Sequence, residues 1–356
     1  MGLEMTQRMH RIGIVGASSL AGKELNDELS ESLLAASDFV LLDDEEATGQ
    51  VTAVGDEISF IQKLDSASFE GMDFAFFAGD VDVTKTQWQS ARKAGASIID
   101  LTYALEREKD VLVRAPWVEE ALGGDGQPDV AVPDLNTPAV VAAHPASVML
   151  ALVAARLKAK LALTSVAATV MEPASEHGRL AMDELHQQTV NLLSFQALPK
   201  EQYDAQVSFN LLPALGEAAK IRFAATERRI AEQYAALSAG RLPELALQLV
   251  HAPVFHGYVA SVLIDLAETA TVAQVERALA GAHVDVVGEE SDPPSNLSAA
   301  GQENILVRVT SGAGNGSTEG RRFWLWIAAD NLKLAARNAV ACALELGRLR
   351  PQGKVQ

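Results

Sequence analysis

Apolar positions in the first 140 residues fall into short unbroken runs that end in glycine or an acid. They are Arg11-Ile12-Gly13-Ile14-Val15-Gly16, Phe39-Val40-Leu41-Leu42, Asp73 to Gly79 and Gly95 to Asp100. Unbroken apolar runs of this length predict strands buried on both faces, as in a parallel sheet. Between them, Lys23 to Leu29 and Val83 to Ala94 carry helical spacing. A last short strand is predicted over Asp129 to Asp134, leading to Asn136-Thr137-Pro138. Strands and helices that alternate in this way predict an α/β domain with a doubly wound parallel sheet. Ligands sit at the carboxyl ends of such strands, which gathers Gly16, Gly79, Asp100 and Thr102 around one crevice.

The second half has a different pattern. Ala143-His144-Pro145-Ala146-Ser147-Val148-Met149-Leu150 is a short polar turn that opens an apolar helical run, Met149 to Leu161. Ala162 to Met171 is strand-like with partial alternation. Gly178 to Leu193 has helical periodicity through Leu180, Leu185, Val190 and Leu193. Leu247 to Leu266 holds further strands through Val250, Val254, Val259, Val262 and Ile264. Gln302 to Val309 and Phe323 to Ala328 complete an antiparallel or mixed sheet, and Asn331 to Leu349 is a terminal amphipathic helix. Asp292 to Asn296 and Gly312 to Ser317 are loops by composition. The second loop has a phosphate cradle's glycines but neither the Lys-Ser/Thr nor the helix that such a cradle needs, so it reads as a hairpin loop.

Composition narrows the picture. The chain has 356 residues, 48% of them hydrophobic, and a formal net charge of -18. That is enough for two domains with sizeable cores. The acidity argues against nucleic acid and anionic membranes as partners, because both need a basic face. The single cysteine, Cys342, lies in the terminal helix, which excludes a disulfide framework and reads as a buried apolar residue. No metal-ligand pattern is present. Met1 to His10 is short and polar, and no apolar run reaches the roughly 20 residues that span a bilayer, so the expectation is a soluble, cytoplasmic protein.

Two places carry candidate chemistry. The first is Gly16-Ala17-Ser18-Ser19-Leu20-Ala21-Gly22, in the strand–turn–helix setting of a dinucleotide fingerprint. Gly16 permits the tight turn and Gly22 lets the helix pack on the strand. Ser19 stands where a glycine would let the backbone approach a pyrophosphate. An α/β turn with no ligand is the other reading. Asp43 ends the second strand and begins the run Asp43-Asp44-Glu45-Glu46. An acid there suits the ribose hydroxyls of NAD, and four acids repel the 2′-phosphate of NADP. The second place is Ser147, the only side chain of the central turn able to act as a nucleophile at a helix N-terminus.

The order of these motifs resembles the aspartate-semialdehyde dehydrogenase family over nearly the whole chain. Gly16 to Gly22 resembles the family's Gly-Ala-Thr-Gly-x-x-Gly turn, and Asp73 to Gly79 its following strand. Ala143 to Leu150 resembles its Asn-Pro-Asn-Cys-Ser-Thr block. Gly178 to Leu185 resembles its Gly-Arg-x-x-Met-Asp-Glu-Leu helix start, and Asp330-Asn331-Leu332 the opening of its last helix. Phe209-Asn210-Leu211-Leu212-Pro213, Glu227-Arg228-Arg229-Ile230 and Ala252-Pro253-Val254-Phe255 are most similar to the family's Usg-type paralogues, which lack its full catalytic set.

The resemblance implies a Rossmann-type NAD(P)-binding domain over residues 1–143 and 331–356. It also implies a second α/β domain for catalysis and dimerisation over residues 144–330. The subunit would form a homodimer or tetramer. The nucleotide-binding residues it implies are Gly16, Ser18, Ser19, Leu20, Ala21, Gly22, Asp43, Gly79 and Asn331. The family reaction is reductive dephosphorylation of aspartyl phosphate through a thioester.

Against that pattern, the nucleophilic cysteine is matched by Ser147 and the basic histidine by Tyr258. A serine hydroxyl does not ionise near neutrality and needs a base, and a tyrosine of pKa about 10 is a poor one. His256 lies two positions before Tyr258. On a strand it shares that face at a displacement of about 6.6 Å, too far to replace the missing base. His144 is the other histidine near Ser147. The phosphate-binding arginine is matched by Glu106, with Arg107 one residue away. The glutamine near the nucleophile is matched by Glu172. Arg228 or Arg229 retains the carboxylate-binding arginine, which pairs a carboxylate bidentately.

These changes remove activation or add negative charge. They favour a catalytically silent relative that dimerises and binds NAD in preference to NADP, or binds no nucleotide. The alternatives are an active NAD(P)-dependent semialdehyde dehydrogenase of amino-acid biosynthesis with an atypical nucleophile, and a hydrolase-like enzyme acylated at Ser147. The sequence does not identify a physiological ligand.

Overall fold

The computed structural model describes residues 9–55, 57–123, 132–312 and 318–349. The chain divides into two units. One comprises Met1–Pro116, Ala131–Ala143 and Ala335–Gln356, the other Trp117–Val130 and His144–Leu334.

The first unit is built on a seven-stranded parallel sheet. Its order is Gln62–Lys63, Asp38–Asp43, Arg11–Val15, Phe74–Phe77, Ser97–Asp100, Val140–Ala142, Leu112–Arg114. The chain order reverses between Arg11–Val15 and Phe74–Phe77, so Gly16 and Gly79 follow the two strands at that switch point. Ile12, Ile14, Phe74 and Phe76 pack on Leu25 and Leu29 of helix Leu20–Glu31. The same cluster takes in Ala336, Val340 and Leu346 of helix Asn331–Leu349. Alternate residues Val15, Ala75 and Phe77 face Trp88 and Ala91 of helix Val81–Lys93. Both faces of the sheet are therefore buried, which is why its strands read as unbroken apolar runs. The terminal helix is also fixed by polar contacts. Arg114, buried, pairs with Glu345 at 2.5 Å, and Asn338 Nδ2 donates to the carbonyls of Arg114 and Ala143.

The strand expected over Asp129 to Asp134 is not found where it can be judged. Asp129, Val130 and Ala131 lie outside the described residues, and Val132, Pro133 and Asp134 are irregular. Pro133 has no N–H for a ladder. Its place is taken by Val140–Ala142, fully buried, with Leu112–Arg114 beside it.

The second unit is built on a six-stranded mixed sheet. Its order is Leu245–His251, Leu163–Glu172, Tyr258–Thr271, Glu319–Ala329, Ile305–Ser311, Val284–Val286. Leu163–Glu172 is parallel to Leu245–His251 and antiparallel to Tyr258–Thr271. Leu163, Val166, Ala168, Val170 and Glu172 are buried on one face, which gives the strand its alternation. Helix Pro145–Lys160 is apolar on all sides and buried along most of its length. Helices Gly178–Leu193, Phe223–Ser238 and Val272–Leu279 complete the unit. The run Leu247 to Leu266 is two strands, with Val254 in the turn between them. Ala313 to Ser317 of the expected hairpin loop lie outside the described residues. Among the described residues no helix is long and apolar enough to cross a membrane.

Candidate functional site

The glycine-rich turn of the first unit is held by its own chain. Gly16 has φ +84°, and a Cβ there would fall on the backbone of Gly79. A Cβ on Gly22 would fall on the Gly16 carbonyl. The strand-end turns and the helix therefore touch backbone to backbone, which only glycine allows. Ser19 caps helix Leu20–Glu31: its Oγ accepts from Gly22 N at 2.8 Å and donates to the Ala78 carbonyl at 2.8 Å. Leu20 and Ala21 are the first two residues of that helix. Gly16 N and Ala17 N donate to the Leu42 carbonyl. Ser18 N donates to Asp43 Oδ2 at 2.7 Å.

This places the carboxylate of Asp43 against the turn, at the end of its strand. This acceptor set suits a ligand's hydroxyl groups and repels its phosphates. Asp43 is acceptor-only when ionised, and the nearby acids Asp44, Glu45 and Glu46 are exposed. Asp100 is buried and braces the following loop. Its Oδ1 accepts from the N and Oγ1 of Thr102, both at 2.7 Å, and its Oδ2 accepts from Leu105 N at 2.9 Å. Burial outweighs these bonds and raises its pKa. Gly16 and Gly79 meet, whereas Thr102 bonds to Asp100 and, through its Oγ1, to Thr84.

The second unit holds a buried polar cluster where strand Leu163–Glu172 ends and helix Pro145–Lys160 begins. His144 is the N-cap of that helix, Pro145 its first residue and Ser147 its third. Pro145 is favourable there because its missing N–H is an orphan at a helix start. His144 Nδ1 accepts from Ala146 N at 3.2 Å, and its Nε2 lies 2.9 Å from Glu176 Oε1. The backbone N of His144 donates to Gln233 Oε1 at 2.6 Å. Ser147 is fully buried, and its Oγ donates to the Ile230 carbonyl of helix Phe223–Ser238 at 3.1 Å. The ring of Tyr258, at the start of its strand, lies 5.9 Å from that of His144.

Glu172 ends its strand with its carboxylate fully buried. Its Oε2 is 2.8 Å from His177 Nε2 and 3.8 Å from His251 Nδ1. Burial alone would raise its pKa; the charge and hydrogen bond of His177, then His251, outweigh burial and hold it at about 2. For His177, burial favours the neutral ring. Glu172 and Glu176 outweigh both burial and the opposing charge of Arg229, so its pKa lies above the ordinary value. Glu176 is pushed up by burial but pulled below the ordinary value by His144. Asn331 is buried, with Oδ1 accepting from Ser175 Oγ and from Gly257 N, both at 3.1 Å.

The expected residues thus fall into separate sets. Ser147, Glu172, Tyr258, Arg229 and Asn331 lie in the second unit with the His–Glu cluster. Arg229 is half-buried and acts electrostatically on His177, whereas its neighbour Arg228 is exposed. Arg107 is exposed in the loop that follows Thr102 in the first unit.

His256 is not on a strand: the strand begins at Tyr258, and His256 sits in a half-exposed turn before Gly257, whose φ is +84°. The same-face spacing therefore does not apply. His177, His251, Glu176 and Gln233 were not singled out from the sequence. Glu172 and Glu176-His177, four and five positions apart, were the local signal; His251 is brought in by strand pairing with Glu172. Among the described residues no group of three or more His, Cys, Asp or Glu side chains is arranged to hold a metal ion.

Two family models match the chain. Residues 11–124 match the semialdehyde dehydrogenase, NAD binding domain, and residues 154–334 the semialdehyde dehydrogenase, dimerisation domain. The chain is similar to a USG-1 protein homolog of Pseudomonas aeruginosa, with 32% identity covering 92% of this chain and 95% of that protein. It is 25% identical to an aspartate-semialdehyde dehydrogenase of Rickettsia bellii, covering 96% and 98% of the two chains. A solved structure of a probable aspartate-semialdehyde dehydrogenase from Pseudomonas aeruginosa superposes with a TM-score of 0.80 at 29% identity, covering 95% and 98%.

Proposed function

Because the chain belongs to the semialdehyde dehydrogenase family, we propose that it is a catalytically silent member that keeps the fold, self-association and an NAD-type turn. The observation that carries this reading is the hydroxyl of Ser147. A serine nucleophile must hand its proton to a base. Here the proton points to the Ile230 carbonyl, which cannot take it. The lone pair of His144 Nδ1 is spent on Ala146 N–H, and its Nε2 faces Glu176. Tyr258 supplies no base near neutrality. Glu172 adds a carboxylate, ionised down to about pH 2, where the family has a neutral amide.

When bound, a nicotinamide cofactor would supply hydride chemistry. Asp43 would accept from its ribose hydroxyls, and the turn from Ser18 to Gly22 would lie against its phosphates. The acids from Asp43 to Glu46 favour NAD over NADP. Millimolar NAD is expected to raise the Tm, and NADP to leave it unchanged, in a thermal-shift measurement. Equal shifts would remove the preference, and no shift with either would leave the turn as scaffold.

The physiological form on this reading is a homodimer. The outer face of the mixed sheet presents Trp324, 44% exposed, beside Ala167, Thr169, Leu247, Ser261 and Leu263. An apolar sheet face of this kind marks an interface. Trp324→Glu is expected to halve the mass measured by light scattering; an unchanged mass would place the interface elsewhere. Turnover of aspartate semialdehyde with phosphate and either nucleotide tests the silence itself, and background rates are expected.

A further inference from the structure

In the first unit, strands Val51–Val54 and Glu57–Phe60 form a two-stranded antiparallel hairpin outside the main sheet. Val51 pairs with Phe60, and Ala53 with Ile58. Directly paired residues share a face, as do residues two apart along a strand. Val51, Ala53, Ile58 and Phe60 therefore form one continuous apolar face. That face points outward: Val51 is 62%, Ile58 75% and Phe60 57% exposed. Thr52 and Ser59, on the opposite face, are the half-buried ones. The usual amphipathic order of a surface hairpin is inverted, with polar residues in and apolar residues out. Folding of the unit gains nothing from this arrangement, so the face is built for something that covers it.

The surrounding charge says what kind of occupant fits. The hairpin rests on helix Leu20–Glu31 through Asn26 Nδ2, which donates to the Ala53 carbonyl at 2.7 Å. Asp27 and Glu31 of that helix are exposed. The loop that leads into the hairpin carries Asp44, Glu45 and Glu46, all exposed, and the nearest lysine of the adjoining strand, Lys63, is taken up by Glu45 at 3.0 Å. An apolar face with an acidic rim repels a second copy of itself and attracts apolar side chains flanked by cations.

We propose that this hairpin face docks a protein partner through a basic amphipathic segment, with two or three apolar side chains on Val51, Ile58 and Phe60 and lysines or arginines on the acidic rim. The test uses the full-length protein and a labelled 14-residue peptide of leucine and lysine in amphipathic helical order, with a glutamate-for-lysine peptide as control. Binding is read by fluorescence anisotropy. The lysine peptide is expected to bind, to weaken at least about ten-fold in the Ile58→Ser/Phe60→Ser variant, and to weaken similarly in Glu45→Lys/Glu46→Lys. The glutamate peptide is expected not to bind. The substituted side chains are exposed, so circular dichroism should confirm unchanged folding. Equal binding by the wild type and both variants, or none by the wild type, overturns the proposal. A drop in oligomer mass in Ile58→Ser/Phe60→Ser also overturns it, by showing that a second copy covers the face.

Discussion

Replacing Glu172 by alanine is expected to lower the unfolding free energy by about 3 kcal/mol, because a buried ion pair broken from one side leaves its partner uncompensated. The partner is His177, 2.8 Å away, with His251 beyond it. Glu172→Gln keeps the volume and should cost less, since the amide still accepts a hydrogen bond. The pH dependence follows from both shifts. The pKa of Glu172 is lowered from 4.5 to about 2, so its contribution is complete above the unfolded value and is lost as pH falls toward 2. His177 is raised above its ordinary value of about 6.5, so its contribution is complete below that value and is lost as pH rises through the folded one. Stability from the pair therefore peaks between about pH 4.5 and 6.5. Denaturant unfolding at several pH values should show this maximum in the wild type and a flatter profile in Glu172→Ala. An unflattened profile would mean that the pair is not ionised as described.

Gly16→Ala is expected to cost about 3 kcal/mol or more, through strain at a positive φ plus overpacking against the Gly79 backbone. Gly95 supplies the internal comparison. Its φ is +95°, yet nothing lies within 4 Å of a Cβ placed there. Gly95→Ala should therefore cost only the conformational part, about 1 kcal/mol. If urea midpoints fall equally in the two variants, the close approach of Gly16 and Gly79 is not what the turn depends on.

The parallel sheet was legible because its strands are buried on both faces and write themselves as unbroken apolar runs. Arg11–Val15 and Phe74–Phe77 were placed to within a residue or two. Val140–Ala142 was not, because three apolar residues that run into an apolar helix leave no periodicity to read. The central turn was legible through Pro145 and the helix it opens. Its chemistry was not. That Ser147 donates to Ile230 depends on a helix more than 80 residues downstream. His251 reaches Glu172 only through strand pairing, and His256 lies in a turn because the strand starts only at Tyr258, after Gly257.

The most direct measurement follows the absorbance of reduced nicotinamide cofactor while the purified protein is incubated with aspartate semialdehyde, phosphate and NAD or NADP. With the Ser147 proton donated to the Ile230 carbonyl, the predicted rate equals that of the protein-free control and does not change in Ser147→Ala. Turnover that is present in the wild type and lost in Ser147→Ala would contradict the silence of this site.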